Sequence, residues 1–133
     1  MKKIIVILLT IVVACGIVMA QQQKETNGPK TTFKTLTHDF GNIKEADGPV
    51  TYNFEFTNTG NKPLLIVDVV ASCGCTRPEF PTQPIKPGKK GTIKVTYSPI
   101  GRPGAFRKSI KVKTNGTERN STLIISGVVY PKR

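Results

Sequence analysis

The sequence predicts an all-β sandwich of about seven strands behind an N-terminal signal peptide. Two observations predict the sandwich: short runs of alternating apolar and polar residues recur between Gly, Pro and Asn clusters, and no segment has the periodicity of an amphipathic helix. A third predicts the signal peptide, because an apolar N-terminal stretch changes abruptly to a polar one.

Residues 1–20 have the composition of a secretory signal. Two lysines precede an apolar run, and the run ends with a small residue, Ala20, just before the polar stretch that begins at Gln21. We predict cleavage before Gln21 and an extracytoplasmic location, periplasmic or secreted. Two alternatives would attach the protein to a membrane: lipidation of Cys15, which ends a lipobox-like Val-Val-Ala-Cys, or retention of the signal as an anchor.

The chain after the signal is predicted to be a flexible leader and one domain. Residues 21–30 are polar, contain Gly-Pro and lack periodicity, which is typical of a flexible leader. Residues 31–133 suit a single domain with one hydrophobic core.

The first strands are predicted from alternation and turn residues. Residues 31–40 are expected to form one strand, with Phe33 and Leu36 facing the core, and residues 41–49 a turn region. Residues 50–57 alternate cleanly, so the apolar side chains at every second position should share one face. These side chains are Val50, Tyr52, Phe54 and Phe56.

The middle of the chain combines a turn, an apolar run and a loop-rich stretch. Residues 58–63 are rich in Asn, Gly and Pro and predict a turn. Residues 64–71 are almost continuously apolar, which predicts a central strand covered on both faces with Asp68 pointing outward. Residues 72–87 hold four prolines and predict loops with one short strand.

The last third predicts three more strands. Residues 91–97 alternate, residues 105–114 follow a turn, and Asn115-Gly116 is a strong hairpin signal before a strand at 123–130. In the second of these strands Ile110 and Val112 should face inward and Arg107, Lys111 and Lys113 outward. Seven short strands in about 100 residues fit an immunoglobulin-like sandwich.

Charge is distributed unevenly along the mature chain. Residues 21–80 carry six Lys or Arg and seven Asp or Glu, whereas residues 81–133 carry twelve Lys or Arg and a single acidic residue, Glu118. This asymmetry indicates either a solvated basic face or an anionic partner, with Arg107, Lys111 and Lys113 as the candidate binding residues. Nucleic acid is not expected, because the chain is predicted to be exported and lacks an aromatic stacking platform.

Two cysteines concentrate the chemistry of the domain. Cys73 and Cys75 could form an inert structural disulfide across Gly74, a redox-active disulfide, or a two-sulfur Cu(I) site. No spacing links the sole histidine, His38, to this pair, so a zinc site is not expected.

Enzymatic motifs are missing from the sequence. It has no Gly-rich phosphate loop, nucleophile elbow or two-histidine metal motif, so we predict a protein that is not an enzyme and needs no cofactor. The leading hypothesis is an interaction or accessory module of the cell envelope, whose partner is an unknown protein or an anionic component. Thiol redox or Cu(I) handling by the cysteine pair, and polyanion binding by the basic half, are the alternatives.

A set of short motifs in fixed order resembles one bacterial family. They are Asp-Phe-Gly at 39–41, Phe-Glu-Phe-Thr-Asn-Thr-Gly at 54–60, Ser-Cys-Gly-Cys-Thr at 72–76, Ile-Lys-Pro-Gly at 85–88 and Val-Thr-Tyr-Ser-Pro at 95–99. Together they resemble the domain-of-unknown-function family DUF1573 over residues 33–129. The resemblance implies an immunoglobulin-like fold akin to the hydin and major-sperm-protein sandwiches, in a secreted or periplasmic protein, and no established activity.

Overall fold

Residues 27–132 are described by the computed structural model, and their eight strands form two four-stranded sheets packed face to face. The all-β sandwich is confirmed, with eight strands where about seven were expected. The predicted signal peptide and Cys15 lie outside the described residues. The strands are β1 (Thr31–Phe33), β2 (Thr37–Lys44), β3 (Val50–Asn58), β4 (Ile66–Ala71), β5 (Thr76–Glu79), β6 (Lys90–Tyr97), β7 (Gly104–Thr114) and β8 (Asn120–Tyr130).

The two sheets interleave distant parts of the chain. The first sheet has the order β1-β3-β6-β5 and the second the order β2-β8-β7-β4. Neighbouring strands are antiparallel except for β2 and β8, which run parallel. Consecutive strands β4 and β5 therefore lie at the edges of different sheets, and the chain between them crosses from one sheet to the other.

The core is made by the inward-facing residues of the strands that alternate in the sequence. Phe54 and Phe56 of β3 are buried, as are Ile110 and Val112 of β7, and Val50 and Tyr52 pack against the same cluster. The predicted alternation of β3 and β7 is therefore confirmed. The remaining members of the buried cluster are Leu64, Ile66, Val69, Cys75, Ile93, Val95, Tyr97, Phe106, Leu123, Ile125 and Val129.

The single first strand expected over residues 31–40 is wrong, and so is the inward position of Leu36. The run divides into β1 and β2, which belong to different sheets, and Leu36 lies where the chain passes between them, 49% exposed. The expected turn at residues 41–49 is also wrong in its first half. Gly41 adopts a positive φ of 67° at an irregularity within β2, which continues to Lys44 before a short 3-10 helix.

The central position predicted for residues 64–71 is wrong. β4 lies at an edge of the second sheet and pairs only with β7 among the described strands. A register shift between Ile66 and Asp68 leaves both Val67 and Asp68 on the exposed side, and Val67 is 58% exposed. The outward position of Asp68 is confirmed. The apolar run is explained by this bulge in an edge strand. The extra residue, Val67, is apolar but exposed, so consecutive apolar residues occur here without burial on both faces of the strand.

The domain begins earlier than residue 31. Gly28 is buried and donates its N–H to the Asn61 side chain at 2.8 Å, and Pro29 accepts a hydrogen bond from the Thr117 N–H at 2.9 Å. Gly60 has no room for a side chain, since a Cβ there would contact the Gly28 carbonyl oxygen. The end of the expected leader, residues 28–30, is thus fixed against the turn that follows β3.

Candidate functional site

The crossing between β4 and β5 carries the two cysteines, and we call residues 72–76 the cysteine corner. Cys73 and Cys75 are joined by a disulfide, with their Cα atoms 5.2 Å apart. Cys75 is 5% exposed and packs in the core, whereas Cys73 is only half-buried. The structure therefore brings together the pair that the sequence singled out and gives its two sulfurs different environments.

Backbone hydrogen bonds hold both ends of the cysteine corner. The Ser72 N–H donates to the Ser109 carbonyl at 3.0 Å, and the Ser98 N–H donates to the Cys75 carbonyl at 2.9 Å. A turn closes between them, with the Thr76 N–H donating to the Cys73 carbonyl at 3.1 Å. The path of the loop is thus set by contacts to β6 and β7 as well as by the disulfide.

Polar groups lie close to the disulfide. The Cys75 N–H points at the Cys73 sulfur, with 3.1 Å between the nitrogen and Sγ. An open cavity of about 300 Å³ beside the corner is lined by Gly74 and Cys75 together with Arg77 and Ser98. A Cβ on Gly74 would touch nothing within 4 Å, so the tip of the corner faces open space.

No group of three or more His, Cys, Asp or Glu side chains that could hold a metal occurs within residues 27–132. In the disulfide, neither sulfur is available as a thiolate ligand, so a Cu(I) site would require reduction first. His38 lies in β2, where its ring stacks on Tyr52 of β3 with ring centroids 3.7 Å apart. No described helix is long and apolar enough to span a membrane.

The outer face of the second sheet carries the basic residues predicted from the sequence. Arg107, Lys111 and Lys113 are exposed at alternate or near-alternate positions of β7, so they point away from the core in one row. Their strand neighbours on β8 are the uncharged Ser126, Thr122 and Asn120. On the β4 side, Asp68 lies opposite Lys113, without approaching it as an ion pair.

The outer face of the first sheet has its lysines paired instead. Lys90 of β6 lies 3.2 Å from the carboxylate of Glu55 on β3, and Lys94 lies 3.9 Å from that of Glu79 on β5. These are the two ion pairs within 4.0 Å among the described residues. Glu55 and Glu79 thus pair with the lysines of β6, whereas the cations of β7 have no carboxylate within 4.0 Å among the described residues.

A second cation next to Lys113 was missed in the sequence. Arg119 comes immediately before β8, and together with Lys113 it lines an open depression of about 430 Å³ that also includes Val67 and Asn120. The hairpin signal at residues 115–116 could have located it, because the hairpin returns Arg119 to the level of Thr114. Arg107, Lys111, Lys113 and Arg119 are called the basic row below.

Two titratable groups have displaced pKa values for structural reasons. The Glu45 carboxylate accepts hydrogen bonds from the backbone N–H groups of Gly101 at 2.9 Å and Lys132 at 3.0 Å, which lower its pKa below the usual 4.5. Burial raises the pKa of Tyr97 above the usual 10.0, an effect that the charge of Arg102 partly opposes. Neither group belongs to the cysteine corner or the basic row.

The family is decided by the extent of the sequence match. The model of DUF1573, described as a protein of unknown function, matches residues 31–129. The chain belongs to DUF1573. No curated protein matches this DUF1573 chain. The matched span begins with β1 and ends within β8, so it covers both sheets, the cysteine corner and the basic row.

Solved structures support the sandwich fold of this DUF1573 domain. A protein of unknown function from Porphyromonas gingivalis W83 is similar at 15% identity and a TM-score of 0.66, over 80% of this chain and 50% of that one. The VesB protease of Vibrio cholerae is similar at 9% identity and a TM-score of 0.57, over 76% of this chain and 31% of that one. The YadV chaperone is similar at 17% identity and a TM-score of 0.50, over 77% of this chain and 52% of that one. This chain spans about half or less of each neighbour, and identities this low show the fold alone.

Proposed function

We propose that this DUF1573 domain is an exported, non-enzymatic binding module of the cell envelope, and that the basic row binds an anionic polysaccharide. The observation that carries the proposal is the unequal pairing of charge on the two faces. The lysines of β6 have carboxylates within 4.0 Å, and no carboxylate of the described residues comes that close to a cation of the basic row. Unpaired like charges on one face are stabilised when a polyanion covers them.

The spacing of the basic row favours a linear partner. Residues two apart on a strand have side chains on the same face about 7 Å apart, so Lys111 and Lys113 lie within roughly one Debye length, about 8 Å, of each other at physiological salt. Arg107 extends the row to roughly 20 Å along β7, and Arg119 adds a second cation at the Lys113 end. A line of cations on a flat sheet matches a charged chain better than it matches a compact anion.

The predicted export of the chain agrees with such a partner. Residues 1–20 have the composition of a signal peptide, and a disulfide is compatible with an oxidising compartment outside the cytoplasm. Envelope polysaccharides rich in carboxylates or sulfates would meet the protein there. The uncharged side chains that flank β7 on β8, Thr122 and Asn120, can donate hydrogen bonds to sugar hydroxyls.

The test compares two double variants that remove the same charge from opposite faces. Lys111→Ala with Lys113→Ala removes half of the basic row, and Lys90→Ala with Lys94→Ala removes two paired lysines from the first sheet. Binding to polygalacturonate is measured by calorimetry in 50 and 150 mM salt. With about 1 kcal/mol per cation near an anionic surface, the first variant should bind about 30-fold more weakly. The control should bind within about threefold of the unmodified protein, because its cations are already neutralised.

Three results would contradict the proposal. Equal weakening in both double variants would show that net charge, rather than the basic row, drives the binding. Binding to vesicles containing phosphatidylglycerol, with none to polygalacturonate or heparin, would replace the polysaccharide with a lipid surface. Catalytic turnover of a tested polymer would contradict the non-enzymatic part of the proposal.

A further inference from the structure

The disulfide of the cysteine corner closes an unusually small loop for a structural cross-link. Only Gly74 separates the two cysteines, and the stability gained from a disulfide by restricting the unfolded chain grows with the length of the loop it closes. A bridge between the sheets, as in many immunoglobulin-like domains, would enclose tens of residues. This bridge holds together residues that the backbone already keeps close.

The path of the corner also has support that does not depend on sulfur. Ser72 is tied to Ser109 of β7, Cys75 to Ser98, and the turn between them closes through the Thr76 N–H. Because these bonds involve backbone groups, they remain available when the sulfurs are reduced. The corner can therefore change its redox state while the strands on either side stay paired.

The two sulfurs differ in a way that suits an ordered exchange reaction. We propose that Cys73–Cys75 is an exchangeable disulfide, in which Cys73 forms the mixed disulfide with a partner dithiol and Cys75 leaves as the thiolate. Cys73 is half-buried at an open tip, and the N–H of Cys75 lies 3.1 Å from its sulfur, where it stabilises a thiolate. Cys75 is 5% exposed, so a partner thiol reaches Cys73 first.

The reaction is a two-electron exchange with a protein or peptide dithiol. A thiolate of the partner attacks the Cys73 sulfur, the Cys73–Cys75 bond breaks, and Cys75 leaves with the electron pair. The second thiolate of the partner then attacks the partner's first sulfur in the mixed disulfide, the bond from that sulfur to Cys73 breaks, and Cys73 leaves with the electron pair. The partner is oxidised to a disulfide, Cys73 and Cys75 become thiols, and both protons come from the partner's dithiol through solvent.

The test measures which cysteine exchanges and whether the fold survives. Protein exported from cells, in the unmodified form and with Cys73→Ser or Cys75→Ser, is incubated with oxidised glutathione after reduction, and the adduct is followed by intact mass. Peptide mapping assigns the modified cysteine and separates it from Cys15 wherever that residue is retained. The Cys75→Ser variant should form the adduct at Cys73 at least tenfold faster than the Cys73→Ser variant forms one at Cys75. The double serine variant is the control without a reactive pair.

A second measurement separates exchange from a purely structural role. In the unmodified protein, a peptide dithiol should open the disulfide while near-UV circular dichroism stays native. A bridge that opens only when urea unfolds the domain would overturn the proposal, as would equal adduct rates in the two single variants. If Cys75→Ser does not fold, Cys75→Ala replaces it, since alanine suits the buried site. An exported protein without the Cys73–Cys75 bridge under air would also contradict the inference.

Discussion

Asn58 is the polar residue whose removal should cost the fold most. It ends β3, is fully buried, and uses its whole side chain. Its Nδ2 donates to the Lys62 carbonyl at 2.7 Å and the Ile85 carbonyl at 2.9 Å, and its Oδ1 accepts from the Gly60 N–H at 3.0 Å and the Lys30 N–H at 3.3 Å. One amide thus joins β3 to the segment before β1, to the following turn and to the loop before β6.

Replacing Asn58 with Ala removes all four hydrogen bonds at once. At about 1 kcal/mol for each, and with buried partners left unsatisfied, the free energy of unfolding should fall by about 3–4 kcal/mol. Domains of this size are stable by roughly 5–15 kcal/mol, so a large share of the stability is lost. The melting temperature should fall by roughly 12–16 °C, at about 4 °C per kcal/mol for a domain of 100 residues.

Urea unfolding followed by far-UV circular dichroism measures this change. Asn53→Ala is the matched control, because Asn53 lies in the same strand with an exposed side chain, and its effect should stay within about 0.5 kcal/mol. Asn58→Asp keeps the two acceptor contacts and loses the two donor contacts, so it should also destabilise the domain. A loss below about 1 kcal/mol for Asn58→Ala would refute the reasoning that this amide holds the turn together.

Two further predictions concern a pair of glycines and one carboxylate. Gly74→Ala should change the free energy of unfolding by less than about 0.5 kcal/mol, because its Cβ meets open space. Gly60→Ala should lower the free energy of unfolding by about 1–3 kcal/mol, because its Cβ would push the N-terminal segment away. Thermal melts of both variants check this prediction, and equal effects would contradict it. Glu45 has a lowered pKa in the folded state, so its bonds to the N–H groups of Gly101 and Lys132 stabilise the domain above pH 4.5 and are lost as the pH falls through the lowered value. The difference in urea midpoint between the unmodified protein and Glu45→Gln should therefore be present at pH 7 and shrink below pH 4.5, and a difference that grows in acid would rule out this account.

Sequence pattern predicted the strands whose alternation is unbroken. β3 and β6 alternate over their full lengths and β7 does so from Ser109 to Thr114, so their inward and outward residues follow directly from the period of two. β4 could not be placed in the same way, because the bulge after Ile66 exposes Val67 within an apolar run. An exposed apolar side chain at a bulge and a buried one in a central strand look the same in the sequence.

The candidate site was predictable in its residues and less so in its surroundings. The cysteine pair and the outward cations of β7 follow from spacing alone. Pairing of Lys90 with Glu55 and of Lys94 with Glu79 depends on β6 lying between β3 and β5, which no local pattern specifies. The contrast between a face whose lysines are paired and a face whose cations are not therefore emerged only from the topology of the sheets.

The position of β8 determines when this chain can fold. β8 is the last of the described strands, yet it lies inside the second sheet between β2 and β7, and β2 has no other strand partner among these residues. In a nascent chain that lacks residues 120–130, β2 has already been made but has no β8 to hydrogen-bond with. The second sheet of such a chain cannot be completed until residues 120–130 have been made. For a protein that crosses a membrane as an extended thread, as we propose for this one, this requirement keeps the second sheet open until β8 arrives.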